Sequence, residues 1–278
     1  MNKNLNQLVC LLNYFVLRVR LIFENLERGA TVPFHHQYYL YRLFKGLVSV
    51  CNDDELSSFK QYNFSGLKGQ TKVGKNGLQF FSNKITIVFS CSNEDFINRV
   101  IEKIFSYDKL KVKNLTLRPL VVELEPEIEF QPEMRYICIS PIVLLHPEFS
   151  NDSAKEFVHP TSAAFENLIT DNILRKLNGE SQSERDDVIF SPDQDYVDRI
   201  ESNGKKYSRI YPIYDRDVPF EVRGYTLPFT LKAPVEVHQS IYNNGLGLFN
   251  DKGFGMIDQT NVSPGTETIT YFDGQFAN

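Results

Sequence analysis

The sequence predicts an α+β chain of two tandem ferredoxin-like (RRM-like, βαββαβ) domains, on three observations. A strictly alternating segment opens the first half. Helices with a single apolar stripe follow strands where such a unit requires them. The same order of elements then recurs in the second half. The 278 residues suffice for one large or two ordinary domains, and a 42% hydrophobic share provides for a core.

The first unit is expected over residues 14–130. In "FVLRVRLIF", Phe15, Leu17, Val19, Leu21 and Phe23 point one way and Arg18 and Arg20 the other, the pattern of a half-buried strand. "PFHHQYYLYRLFKGLVS" places Leu40, Leu43, Phe44, Leu47 and Val48 at helical spacing behind Pro33. "KQYNFSGL" and "LQFFSNKITIVFS" read as strands joined by a Gly/Lys-rich connection. "NEDFINRVIEKIF" is a helix that Ser92 or Asn93 caps, with Glu94 and Asp95 suiting its first turn and Phe96, Val100, Ile101 and Ile104 as its stripe. "LKVKNLTLRPLVVEL" returns to strand.

The second unit is expected over residues 131–258. "MRYICISPIVLLHP" reads as a strand, and "TSAAFENLITDNILRKLNG" as a helix stopped by Gly179. The acid-rich stretch "NGESQSERDDVIFSPDQDYVDRIE" reads mostly as a solvated loop. "KKYSRIYPIYD" and "FEVRGYTLPFTLKA" are strand-like, "PVEVHQSIYNNG" a short helix and "GFGMIDQ" the last strand. Residues 259–278 are polar and read as a flexible tail.

Charge is uneven. The net charge is −5, yet residues 56–93 hold no Asp or Glu while Lys60, Lys68, Lys72, Lys75 and Lys84 fall inside. That segment reads either as a basic face for a phosphate backbone or as a solubilising lysine face. The four cysteines lie far apart without a C-x-x-C pair, which argues against zinc or a disulfide framework and fits a reducing compartment. "LVCLLNYFVL" is too short for a membrane span, which needs about 20 residues. Arg18 and Arg20 stand where a signal-peptide cleavage site would be, so a cytoplasmic protein is expected.

"GLGLFNDKGFGMI" places Gly245, Gly247, Gly253 and Gly255 within eleven residues. Such a loop either packs tightly or bares N–H groups to phosphate oxygens. Its spacing fits neither a P-loop nor a dinucleotide fingerprint. A G-x-G-x(5)-G-F-G loop closing a second ferredoxin-like unit resembles the repeat-associated mysterious protein superfamily. Within it, the chain is similar to CRISPR-associated endoribonucleases that process precursor CRISPR RNA. "VPFHHQYYLYRLF", "KQYNFSGL", "ISPIVLL" and "FVHPTSAAFENLITDNILRKL" resemble family segments in the same order, over about residues 14–258.

The resemblance implies metal-independent cleavage of repeat RNA by 2′-OH attack, giving a 2′,3′-cyclic phosphate. It implies no cofactor, CRISPR repeat RNA as partner, other CRISPR effector subunits as further candidates, and a monomer or homodimer. It also implies a histidine after the first helix, which "VSVCNDDELSSFKQYNFS" lacks. Lys45 stands where the family's helical tyrosine would be and Lys60 opens the next strand, so these two are the catalytic candidates beside His35; all three have ordinary structural readings too. His36 lies nine residues before Lys45, about 180° away around a helix. RNA contacts are expected from Gly245, Gly247, Lys252, Gly253, Gly255, Lys68, Lys72, Lys75, Arg223 and Lys232. The alternative is a catalytically inactive CRISPR RNA-binding subunit, and a third reading a structural subunit of such a complex.

Overall fold

A computed structural model describes residues 18–49, 59–126, 128–145, 155–177, 185–215, 218–260 and 267–270. Its first half contains β1 (Arg18–Asn25), β2 (Thr31–Val32), α1 (Gln37–Ser49), β3 (Tyr62–Phe64), β4 (Thr71–Val73), β5 (Leu78–Phe80), β6 (Lys84–Cys91), α2 (Glu94–Phe105), β7 (Leu110–Val112) and β8 (Leu115–Leu124). The main sheet runs β8–β1–β6–β3, all antiparallel. α1 crosses from the first strand to the second and α2 from the third to the fourth, which is the ferredoxin-like path. Val19, Leu21 and Phe23 alternate onto the helix-covered face and pack with Phe44, Phe64, Phe89 and Phe96. α2 starts where the Asn93 side chain accepts from the Phe96 N–H. β2, β5 and β4 form a small separate sheet.

The second half contains β9 (Glu133–Cys138), β10 (Ile142–Val143), α3 (Ala163–Leu177), β11 (Ile189–Pro192), α4 (Gln194–Ser202), β12 (Ser208–Asp215), β13 (Val218–Tyr225), β14 (Phe229–Lys232), α5 (Val235–Asn244) and β15 (Ile257–Gln259). Its sheet runs β11–β14–β9–β15, the same path again, over a core that includes Tyr136, Phe165, Phe190 and Phe229. The chain is thus a tandem of ferredoxin-like units.

Three expectations are corrected. The acid-rich stretch is not mostly loop: it supplies β11, the second strand of this sheet, and α4, which Asp193 caps through the Tyr196 N–H. Phe190 and Val188 anchor the segment in the core while the acids stay outside. The two strand-like stretches expected to be the second and third strands instead form the hairpin β12–β13, which pairs with β10 in its own sheet; only Phe229–Lys232 joins the main one. Inside the tail expected to be loose, β16 (Glu267–Thr270) pairs antiparallel with β8.

One arginine ties the two units together. Arg18 was expected on the solvent side of β1, and it is buried. Its Nη1 donates to the carbonyls of Ile257 at 2.8 Å and Tyr242 at 3.4 Å, and its guanidinium carbon stands 4.0 Å from the Tyr242 ring centroid. Its Nε lies 2.5 Å from Glu125 Oε2, an ion pair rather than an aligned hydrogen bond. Glu125 also accepts from Arg20 Nε at 2.8 Å. Burial pushes the Glu125 carboxyl up, but Arg18 and Arg20 outweigh it and hold it below the usual range.

Breaking one partner of a buried pair costs about 3–5 kcal/mol. Arg18→Met is therefore expected to lower stability by that order in urea unfolding; a loss within error would show that the pair does not join the units. A depressed carboxyl contributes stability above its unfolded value of 4.5, lost as pH falls through the lower folded value. Glu125→Gln should accordingly flatten the acid limb of the stability–pH curve, and an unchanged limb would refute this assignment.

Candidate functional site

The glycine-rich loop lies between α5 and β15, wedged between the two units. Gly245, Gly247, Gly253 and Gly255 all have positive φ. A Cβ on Gly253 would come within 2.4 Å of the Phe64 ring, and one on Gly255 within 1.7 Å of the Leu246 carbonyl oxygen. The loop is spaced for packing against β3 on one side and β10 on the other.

The N–H groups of its four glycines are spent internally. Gly245 N donates to Ile241 O at 2.9 Å, Gly253 N to Asn250 O at 2.9 Å and Gly255 N to Pro141 O at 2.7 Å. Gly247 N donates to Asn172 Oδ1 at 2.9 Å. These four glycines, expected to contact RNA phosphates, are buried and their N–H donors are taken.

What the loop does present is Lys252, at the end of the 3-10 turn Asn250–Lys252. Its Nζ lies 5.1 Å from the centroid of the Tyr41 ring, 5.6 Å from that of Phe249 and 3.5 Å from Asp251 Oδ2. Lys45, one helical turn beyond Tyr41 and exposed, brings its Nζ to 5.6 Å from the same Tyr41 ring. Tyr62 adjoins the cluster: burial first, then Asp251 and Tyr41, push its hydroxyl up. Two ammonium groups from different units thus flank one tyrosine.

Cations continue along α1. Arg42 lies 6.0 Å from the Tyr38 ring, Lys113 lies 5.4 Å from Tyr39, and Arg209 of β12 lies 5.8 Å from Phe34. Interleaved rings and cations offer faces for bases and charges for phosphates.

The remaining candidates scatter. His35 is half-buried just before α1, its ring 5.9 Å from that of Tyr39. His36 is buried beneath the helix, its Nε2 accepting from Leu67 N at 3.3 Å, and burial pulls it down to about 4. Lys60 is exposed and makes no hydrogen bond, ion pair or ring contact with any described residue; the segment 50–58 before it lies outside the described residues. Lys72 and Lys75 are exposed on the β4–β5 hairpin. Lys68 is half-buried, lowered by burial, in the field of Asp258, Arg18, Glu125 and Arg20. Lys232 pairs with Glu133 at 3.2 Å.

Arg223, expected as a phosphate contact, is engaged by its own neighbours. Its guanidinium is committed to the Lys155 carbonyl at 2.9 Å and Ser208 Oγ at 3.3 Å, over the Phe157 ring. His238 is fully buried against Tyr136, whose hydroxyl lies 2.8 Å from its Nδ1. His159 binds Thr161 and Glu201 on another surface, and His146 lies outside the described residues. Sequence reasoning missed Tyr41, whose spacing of four from Lys45 was the available signal, and the loop-holding role of Asn172.

The two kinds of glycine separate experimentally. Gly255→Ala should destabilise the protein by about 2 kcal/mol or more, because neither φ nor space admits a side chain. Gly46→Ala, in α1 with nothing near its Cβ position, should stabilise by about 0.5–1 kcal/mol. Equal thermal shifts for both would contradict the packing role of the loop.

Residues 123–259 match the family model for the CRISPR associated protein Cas6, C-terminal. The chain is similar to a CRISPR-associated endoribonuclease-like protein, Cas6nc, of Pyrococcus horikoshii, at 24% identity over 258 residues that cover 87% of this chain and 98% of the relative. It is similar to another, Cas6, of Pyrococcus furiosus, at 22% over 248 residues, with 87% and 98% covered. A solved CRISPR associated protein Cas6 superposes with a TM-score of 0.70 at 20% identity, covering 88% of this chain and 99% of that one. A Cas6-related protein from Pyrococcus furiosus superposes at 0.72 and 17%, covering 89% and 99%. Among the described residues no helix is long and apolar enough to cross a membrane. The second unit thus matches the Cas6 C-terminal family model, and over nearly its whole length the chain is similar to Cas6-family, CRISPR-associated endoribonuclease-like proteins.

Proposed function

We propose that this protein binds CRISPR repeat RNA along the seam between its two units, residues 14–130 and 131–258, and cleaves it there. One observation carries the reading: Tyr41 of the first unit is flanked by Lys45 of its own helix and Lys252 of the second unit's loop. The likeness to Cas6 proteins supports the substrate class. In the reaction a ribose 2′-oxygen bonds to the adjacent phosphorus as its proton passes to a base. The bond to the 5′-oxygen breaks and that oxygen takes a proton, leaving a 2′,3′-cyclic phosphate and a 5′-OH. Lys45 and Lys60 are the catalytic pair, one taking the 2′-OH proton and the other steadying the phosphorane charge. Lys252 adds a second cation at Tyr41, and His35 is the remaining acid–base candidate. Lys72 and Lys75 extend the contact along the exposed hairpin.

A second reading has its own support. Among the described residues no histidine touches the Tyr41 cluster: His36 and His238 are buried, and His159 lies on another surface. In that reading the protein holds CRISPR RNA without cutting it.

Incubation of the protein with repeat RNA in EDTA distinguishes the two. Cleavage with a cyclic phosphate end, slowed roughly tenfold or more by Lys45→Ala or Lys252→Met and unchanged by His159→Ala, is the expected result. Binding of intact RNA selects the second reading. Absence of both overturns the proposal.

A further inference from the structure

Lys176 near the end of α3 has a place that the reaction does not use. Its Nζ donates to the Gly245 carbonyl at 2.7 Å and to Asn250 Oδ1. No carboxylate lies within ion-pair distance of it among the described residues. Asn250 opens the 3-10 turn that ends in Lys252, and its Nδ2 donates onward to Phe254 O at 2.9 Å and Leu246 O at 3.4 Å. One turn earlier on α3, Asn172 accepts from Gly247 N. Two side chains spaced four apart on one helix face therefore hold the loop at Gly245, Gly247 and Asn250.

We infer that Lys176 is a positioning residue: through Asn250 it fixes the turn that sets Lys252 against Tyr41. This deepens the reading above and rests on it for its functional consequence. The chemistry suits the task. An amine supplies up to three donors, and two of them here meet neutral acceptors on opposite sides of the loop. A neutral lysine still donates both bonds, so the latch does not need the charge. Burial lowers this amine to about 7, and among the described residues no charged side chain lies within ion-pair distance of it. By contrast Lys252, held one step further along, has Asp251 beside it and stands partly open to solvent.

The tests read the loop first and RNA second. In Lys176→Met, amide exchange at Gly247 and Gly255 should rise roughly tenfold or more, while exchange in β1 and β6 stays at the wild-type level. Acetylation of Lys252 by acetic anhydride, followed by mass spectrometry, should accelerate in the same variant. Asn250→Ala, which removes the relay together with its onward bonds to Leu246 and Phe254, should reproduce both effects at least as strongly, and so protects the test if Lys176→Met fails to fold. With repeat RNA, the double variant Lys176→Met/Lys252→Met should bind no more weakly than Lys252→Met alone, because Lys176 acts through Lys252. Additive losses, or a loop as protected and a Lys252 as slow to label as in wild type, would overturn the inference. If the wild-type protein ignores repeat RNA, the functional reading fails, and exchange and labelling still decide the role of Lys176.

Discussion

The contact on which the rest depends is the burial of Arg18. A guanidinium taken out of water is tolerated only when its charge and donors are met. Here the partners come from three places: Glu125 just past β8, the Tyr242 ring and carbonyl at the end of α5, and the Ile257 carbonyl in β15. The arginine belongs to the first strand of the first unit, and α5 and β15 to the second. Satisfying it fixes one unit against the other. It also pins both flanks of the glycine-rich loop, because that loop runs from α5 to β15. Ser90 Oγ of β6, donating to Asn243 O of α5 at 2.8 Å, adds a further bond between the two units.

With its ends held, the loop has little freedom left. Phe64 and Asn63 of the first unit fill the space that a Cβ would need at Gly253 and Gly245, and Val143 fills it at Gly247. Glycine is demanded there by contact across the seam as much as by backbone angle. The consequence for function is indirect. Glycines whose donors are consumed serve the packing of the loop, and a loop so packed can hold one side chain still: Lys252. The lysine's distance from Tyr41 is therefore a property of the seam, set by groups that never touch a substrate.

Much of this was legible in the sequence where period and punctuation were strong. The alternation of β1, the capped helix from Asn93 and the apolar stripe of α3 all appear as expected. β11 was hidden because four residues, Ile189–Pro192, give too little alternation to stand out from flanking acids. The β12–β13 hairpin was legible as strand but not as a separate sheet, since pairing partners are a tertiary choice. Arg18 misled for a related reason: the period correctly put it on the face opposite the core, and nothing local says that a second unit covers that face. In the site, lysines were visible as charges, but which of them meets Tyr41 depends on a loop some two hundred residues away in sequence.

Charge pairing then sorts the cations by task. Among the described residues Arg18, Arg20, Arg118, Arg135 and Lys232 each have a carboxylate within ion-pair distance. Lys45, Lys60, Lys72 and Lys75 have none. A protein of net charge −5 could have neutralised these four as well, since its acids outnumber its bases. Among the described residues these cations gain nothing from a carboxylate, and Lys45 instead faces the Tyr41 ring. Lys252 sits between the two groups, its neighbour Asp251 close enough to steady it at 3.5 Å yet half-exposed. Under the proposed function, a polyanion lying along α1 would meet Lys45 and, from the other unit, Lys252 at the same Tyr41 ring.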